Sequence, residues 1–345
     1  MARHPRAPKT DAPYPPGWEL FLAGIRAHLD EDTPRLVFAD WLQENGDEAR
    51  AEFIRLQCEL YRVNPRYRGS AYGRKDFTPG QEAAYEREQE LFTANHVRWK
   101  SGFPSWMSSS VHWVFRRGFI GRLRATPNQF FSNGERVLSL CAVDELWLEK
   151  MAGADPTLYR SGLLTGFRSL HVPEIDSAGI RSLADSPALD MLSELGFGKR
   201  QSPTITSGTL QRLLHSPRLK NLTRLILSNS RIGDEGLRQL VKAPLSRLET
   251  LNLRDTGLTA KGAHLLANWP GLESVRSLVV AQNRLDTATI RTLVESPYAA
   301  NLSELWLPSK GPWDRQAAML WAIPAIQRIP KVVLNHIQLS AKTAR

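Results

Sequence analysis

The 345-residue sequence predicts an α/β solenoid. Three observations carry that reading. The pattern L-x-x-L-x-L recurs along the chain, and its second leucine falls at Leu123, Leu146, Leu170, Leu195, Leu225, Leu251, Leu278 and Leu305, with Val332 in the same place in a last copy. The spacings run from 23 to 30 residues, a period in the range of repeat architectures. Each copy is followed by a polar turn and a segment with helical periodicity, such as SAGIRSLADS, SGTLQRLLHS and DTATIRTLVES. A strand, a turn and a helix per period cannot bury their apolar faces alone, so neighbouring units must stack.

This pattern resembles leucine-rich repeats. Units of about this length with full helices are similar to the ribonuclease-inhibitor class, which implies a horseshoe with a parallel sheet on the concave face and helices on the convex face. Strand side chains alternate, so the leucines of L-x-x-L-x-L point inward and the positions between them point onto the sheet face. That face carries four Glu and three Lys/Arg and is nearly neutral. Trp147, His171, Arg224, Asn252, Arg254 and Trp306 are its candidate contacts for a partner, because aromatic and arginine anchors dominate interfaces. The longest spacing, Leu195 to Leu225, contains GKRQSPTITSG and predicts an enlarged turn. The last unit is atypical. An apolar helix over Trp313–Trp321 and a strand Val332-Val333-Leu334 are expected to close the stack.

Ahead of the repeats the sequence predicts a small all-α N-terminal module. Residues 1–17 form a Pro-rich lead-in with no apolar core of signal-peptide length. Trp18, Phe21, Leu22, Ile25 and Leu29 recur at helical spacing. Thr33-Pro34 starts a second helix, with Leu36, Val37, Trp41 and Leu42 as its apolar stripe. Asn45-Gly46 stops it, and Asp47 caps a third helix carrying Phe53, Ile54, Leu56 and Leu60. The run PRLVFADWLQENGDEARAEFIRLQCEL, residues 34–60, resembles the bacterial repeat-companion domain found ahead of some leucine-rich repeats. WVFRRGFIGRLRA, residues 113–125, is similar to the segment joining that module to the repeats. The resemblance implies architecture and no catalytic chemistry. The expected organisation is a helical module over 18–62, a basic connector and helical cap over 63–117, and repeats with a terminal cap over 118–340. Within the connector, Gln81–Lys100 is expected to be a helix that docks through Leu91, Phe92 and Trp99 onto the first repeat.

The net charge is +10 and is spread along the chain. Its densest stretch is the connector, where Arg62, Arg66, Arg68, Arg74 and Lys75 alternate with Tyr61, Tyr67 and Tyr72. Together with Arg116, Arg117 and the run to Arg124, these residues define an alternative function, nucleic-acid association by phosphate contact and stacking. Phosphate-cradling, Rossmann, nucleophile-elbow and H-E-x-x-H motifs are all absent. The histidines lack metal-ligand spacing, and no cofactor or metal is expected. Cys58 and Cys141 sit in apolar patterns that suit buried free thiols and a reducing cytoplasm. No run approaches the roughly 20 apolar residues of a membrane span. The expected function is therefore a non-enzymatic protein-interaction scaffold that binds a protein or peptide on the concave face.

Overall fold

The computed structural model describes residues 13–63, 78–198, 205, 207–309, 313–334 and 337–340. The chain divides into two compact units, Met1–Leu146 and Trp147–Arg345.

In the first unit, helices α1 (Glu19–Ala27), α2 (Thr33–Glu44), α3 (Glu48–Val63) and α4 (Pro79–Asn95) precede a hairpin of β1 (Trp113–Arg116) and β2 (Phe119–Ala125), then α5 (Pro127–Leu140). The expected punctuation is present. Gly46 has φ 85°, and the Arg50 N–H donates to Asp47 Oδ1 at 3.3 Å at the start of α3. The apolar stripe of α2 differs from expectation. Val37 is exposed, and Arg35 is turned inward instead. The core also reaches upstream of Trp18. Tyr14 is buried against Trp18, Phe38 and Phe119, and its hydroxyl donates to the Leu140 carbonyl at 3.3 Å. The helix expected to run to Lys100 ends at Asn95. It packs on α3 through Phe53 and Phe92 and through the Glu52–Arg87 pair.

Sequence periodicity gave no sign of the hairpin. Its two-residue turn, Arg117-Gly118, has φ 47° and 86°, the pair of left-handed conformations that matches strand twist. Glycine at 118 is required twice over. Besides the positive φ, a Cβ there would lie 2.3 Å from Ile54 Cγ1.

In the second unit the repeats stack in register. Following β3 (Glu145–Leu148), strands β4 (Ser169–Val172), β5 (Glu194–Phe197), β6 (Arg224–Ile226), β7 (Thr250–Asn252), β8 (Ser277–Val279), β9 (Glu304–Leu307) and β10 (Lys331–Leu334) pair in parallel, each with the next. The aligned positions are direct ladder partners: Leu170, Leu195, Leu225, Leu251, Leu278, Leu305 and Val332 face one another in turn. All are buried. A short antiparallel strand β11 (Ile337–Gln338), absent from the expected layout, pairs with β10. The helices are α6 (Ser177–Ala184), α7 (Ser207–Leu214), α8 (Gly233–Leu240), α9 (Ala260–Ala267), α10 (Thr287–Val294), α11 (Trp313–Trp321) and α12 (Pro324–Gln327). Most of the GKRQSPTITSG turn lies outside the described residues.

One turn recurs after the strands. Lys150, Asn229, Asp255 and Gln282 each stand four residues past an aligned leucine, with φ between 52° and 60°. A left-handed residue turns the chain out of the sheet at each of these points. The next position is buried, and at Asn283 it ties two repeats together. The Asn283 amide donates to the carbonyls of Leu253 at 2.6 Å and Val280 at 3.0 Å, and its oxygen accepts from the N–H groups of Thr256 at 3.1 Å and Leu258 at 3.0 Å. Asn283→Ala leaves these buried groups unpaired. It is expected to lower stability by about 3 kcal/mol in urea unfolding followed by circular dichroism.

Candidate functional site

The sheet face of the second unit is organised by the same register that aligns the leucines. Between the two inward rows runs a central outward row in which His171 faces Gly196, then Ile226, Asn252, Val279, Trp306 and Val333, each beside the next across the ladder. Ile226, Asn252, Val279 and Trp306 are partly exposed, whereas His171 and Val333 at the two ends are buried. A second outward row, Glu194, Arg224, Thr250, Ser277, Glu304 and Lys331, runs alongside. The result is an apolar strip with a polar border.

The polar border is held by pairs between adjacent strands. Arg224 Nη1 lies 3.3 Å from Glu194 Oε2, and Lys331 Nζ lies 2.5 Å from Glu304 Oε1. Glu304 also accepts from the Trp306 indole at 3.0 Å and the Ser277 hydroxyl at 3.0 Å. Burial pushes the Glu304 carboxyl up, but hydrogen bonds from Lys331, Trp306 and Ser277 outweigh it and leave it below the usual carboxylate range. These contacts fix the indole with its polar edge satisfied. Lys331 Nζ sits 5.3 Å from the centroid of the ring. Beside Trp306 is an open cleft of about 160 Å³ that Arg254, Ala281, Gln282 and Val333 help to line. Arg254 donates from Nε to Gln282 Oε1 at 3.1 Å, and its N–H donates to Asn252 Oδ1 at 3.0 Å. The fold thus brings Asn252, Arg254 and Trp306 into one region of the face, with Arg224 on its border.

The other end of the face is closed. Trp147 stacks on His171 with centroids 4.2 Å apart and planes 15° from parallel. The His171 ring is hydrogen-bonded through Nε2 to Glu194 at 2.9 Å. It also covers the backbone of Gly196, where a Cβ would meet Nδ1 at 2.1 Å. His171 is therefore not an accessible contact: its side chain is 8% exposed. Sequence reasoning placed it on the correct face but missed the glycine on the next strand that lets the ring lie flat.

The alternative nucleic-acid residues fare differently. Arg66, Arg68, Arg74 and Lys75 lie outside the described residues. Arg62 is exposed. Arg116 and Arg117 are not surface cations. Arg116 is paired with Glu145 and lies 3.6 Å from Asp144. Arg117 binds the Asp32 carboxylate at 3.3 Å, the Asp30 carbonyl at 3.0 Å and the Leu29 carbonyl. Both are withdrawn from solvent, and their guanidinium groups donate to these carbonyls and carboxylates instead.

Among the described residues, no cluster of His, Cys, Asp and Glu is placed to hold a metal ion, and no helix is long and apolar enough to cross a membrane. Cys58 and Cys141 are buried and unpaired by disulfide. Burial pushes both thiols up to about 12. A thiol reagent at neutral pH is expected to label neither until denaturant is added, as mass spectrometry will show. Glu304 gives a second expectation. Its folded pKa is depressed, so its stabilisation is present above the unfolded value of about 4.3 and fades as pH falls through the folded value. In urea unfolding, the stability gap between wild type and Glu304→Gln should narrow from about pH 6 to about pH 3.

A family model described as a leucine rich repeat matches residues 218–241. Among solved structures, the chain is similar to one from the crystal structure of the Rad7 and Elc1 complex in yeast, at 16% identity and a TM-score of 0.41, over 59% of this chain and 54% of that one. It thus spans about half the length of that structure. The in-register leucine ladder and the recurring left-handed turn give the second unit the fold of a leucine-rich-repeat solenoid, and the matched segment lies within it.

Proposed function

We propose that the chain is a non-enzymatic scaffold that binds a protein or peptide segment across the sheet face of its repeats, the face expected to be concave. The observation that carries this reading is the continuous outward row from Ile226 through Asn252 and Val279 to Trp306, which ends beside a cleft. Rigid strands present these side chains at the inter-strand spacing of about 4.8 Å. A segment laid across them meets apolar area in the strip, and donors and acceptors along the border. Trp306 and Arg254 are the proposed anchors, being the residue types that most often carry interface energy. Trp147 is a lesser contact, because His171 already occupies one of its faces.

The test is affinity capture with the full chain, wild type and Trp306→Ala/Arg254→Ala, from nuclease-treated lysate. A partner retained by wild type and lost by the double variant is expected. Once that partner is purified, Trp306→Ala should weaken binding by about 30-fold, a cost of about 2 kcal/mol typical of a hot-spot tryptophan. Equal capture by wild type and variant overturns the sheet-face assignment. A partner lost on nuclease treatment moves the function to the connector.

A further inference from the structure

A second cleft, of about 410 Å³, lies on the helical side of the second unit. Arg160, Arg181, Arg212 and Asp185 line it, with Thr157 and Ser182. Arg160 precedes α6, Arg181 is on α6, Asp185 follows it and Arg212 is on α7, so two adjacent repeats contribute. Three guanidinium groups face one carboxylate, which leaves the lining with a charge of +2. Asp185 does not cancel the arginines individually. Arg160 Nη2 at 3.2 Å and Arg212 Nη2 at 3.0 Å converge on the same oxygen, Oδ2. One anionic atom thus holds two guanidinium groups side by side. Each has five N–H donors, and most are left over.

Arg181 is set apart from its counterparts in other repeats. Arg238 and Arg291 stand at the equivalent helical position, and each has a carboxylate on its own helix or just beyond it: Glu235 at 3.0 Å and Glu295 at 3.7 Å. Arg181 has no such ion-pair partner among the described residues. Asp176 feels its charge, but that carboxylate is taken up by the backbone N–H groups of Gly179 at 2.7 Å and Gly153 at 2.9 Å. The repeat pattern does not call for arginine at position 212, since Ser182, Gln239, Leu265 and Thr292 occupy its place on the other helices. Packing does not dictate this cluster.

We infer that the Arg160–Arg181–Arg212 cleft is a binding site for a phosphate monoester. Such a group carries a charge of about −1.5 to −2 near neutral pH and presents three acceptor oxygens, which matches the excess charge and the forked donors. A carboxylate supplies half the charge and fewer acceptors. The site is independent of the sheet face, and its test does not depend on that reading.

The experiment is calorimetric titration of the full chain with inorganic phosphate near pH 8 at low ionic strength, alongside acetate. Binding of phosphate in preference to acetate is expected, weakened about tenfold by Arg181→Ala or Arg212→Ala and unchanged by Arg238→Ala. All three side chains are exposed, and unchanged circular dichroism will confirm that the variants fold. A phosphoserine peptide then distinguishes the sources. Tighter binding than phosphate, lost on dephosphorylation, assigns the site to a modified protein, and equal binding assigns it to a free phosphate ester. Absence of phosphate binding, equal binding of acetate, or an affinity indifferent to Arg181→Ala and Arg212→Ala overturns the inference.

Discussion

Burial of one ladder of side chains underlies the second unit. Leu170, Leu195, Leu225, Leu251, Leu278, Leu305 and Val332 occupy the same step of successive parallel strands, and each is shielded from water. Each fully buried leucine contributes roughly 2 kcal/mol of transfer free energy. Slipping any strand by one residue would turn its leucines to the solvent face, so the ladder fixes register as well as stability. The backbone must then leave the sheet at the same point in each unit. The left-handed residues after the strands and the buried Asn283 accomplish this while satisfying the carbonyl and N–H groups that the turn would otherwise orphan.

A fixed register makes the outward face a regular array. What occupies each point of the array is free to vary, and it does. At one end Trp147, His171 and Gly196 pack on one another and bury the His171 ring. At the other, Glu304 gathers Lys331, Ser277 and the Trp306 indole, and the ring stands beside a cleft. The helical side follows the same logic. Where Arg238 and Arg291 are neutralised locally, Arg181 lines one cleft with Arg160 and Arg212, which share a single carboxylate.

The first unit shows why net charge is a poor guide to surface potential. Arg35, Arg50 and Arg117 are buried there, and Arg116 is nearly so. Arg50 lies between 4.6 and 6.0 Å from the centroids of Trp99, Phe115, Tyr14, Phe53 and Phe119. Burial lowers its pKa, and the ring faces offset part of that cost through their quadrupoles. Several of the cations that make the sequence basic therefore serve the interior.

The sequence by itself determined the repeat, the register and the face on which each strand residue lies. These follow from local periodicity and the two-residue alternation of a strand, and need no knowledge of neighbours. It also located the stops at Gly46 and the cap at Asp47, and the last repeat helix at Trp313–Trp321. Only the tertiary structure decided which outward residues are accessible. His171 is closed by a tryptophan 24 residues earlier and a glycine 25 residues later, and nothing in its own neighbourhood announces either. Arg116 and Arg117 read as a basic pair, yet they bind carbonyls and carboxylates far away in sequence. The arginine cleft likewise joins positions 160, 181, 185 and 212, whose spacing carries no motif. Exposure and electrostatic pairing are set by contacts between elements, and a linear pattern records only what each element does on its own.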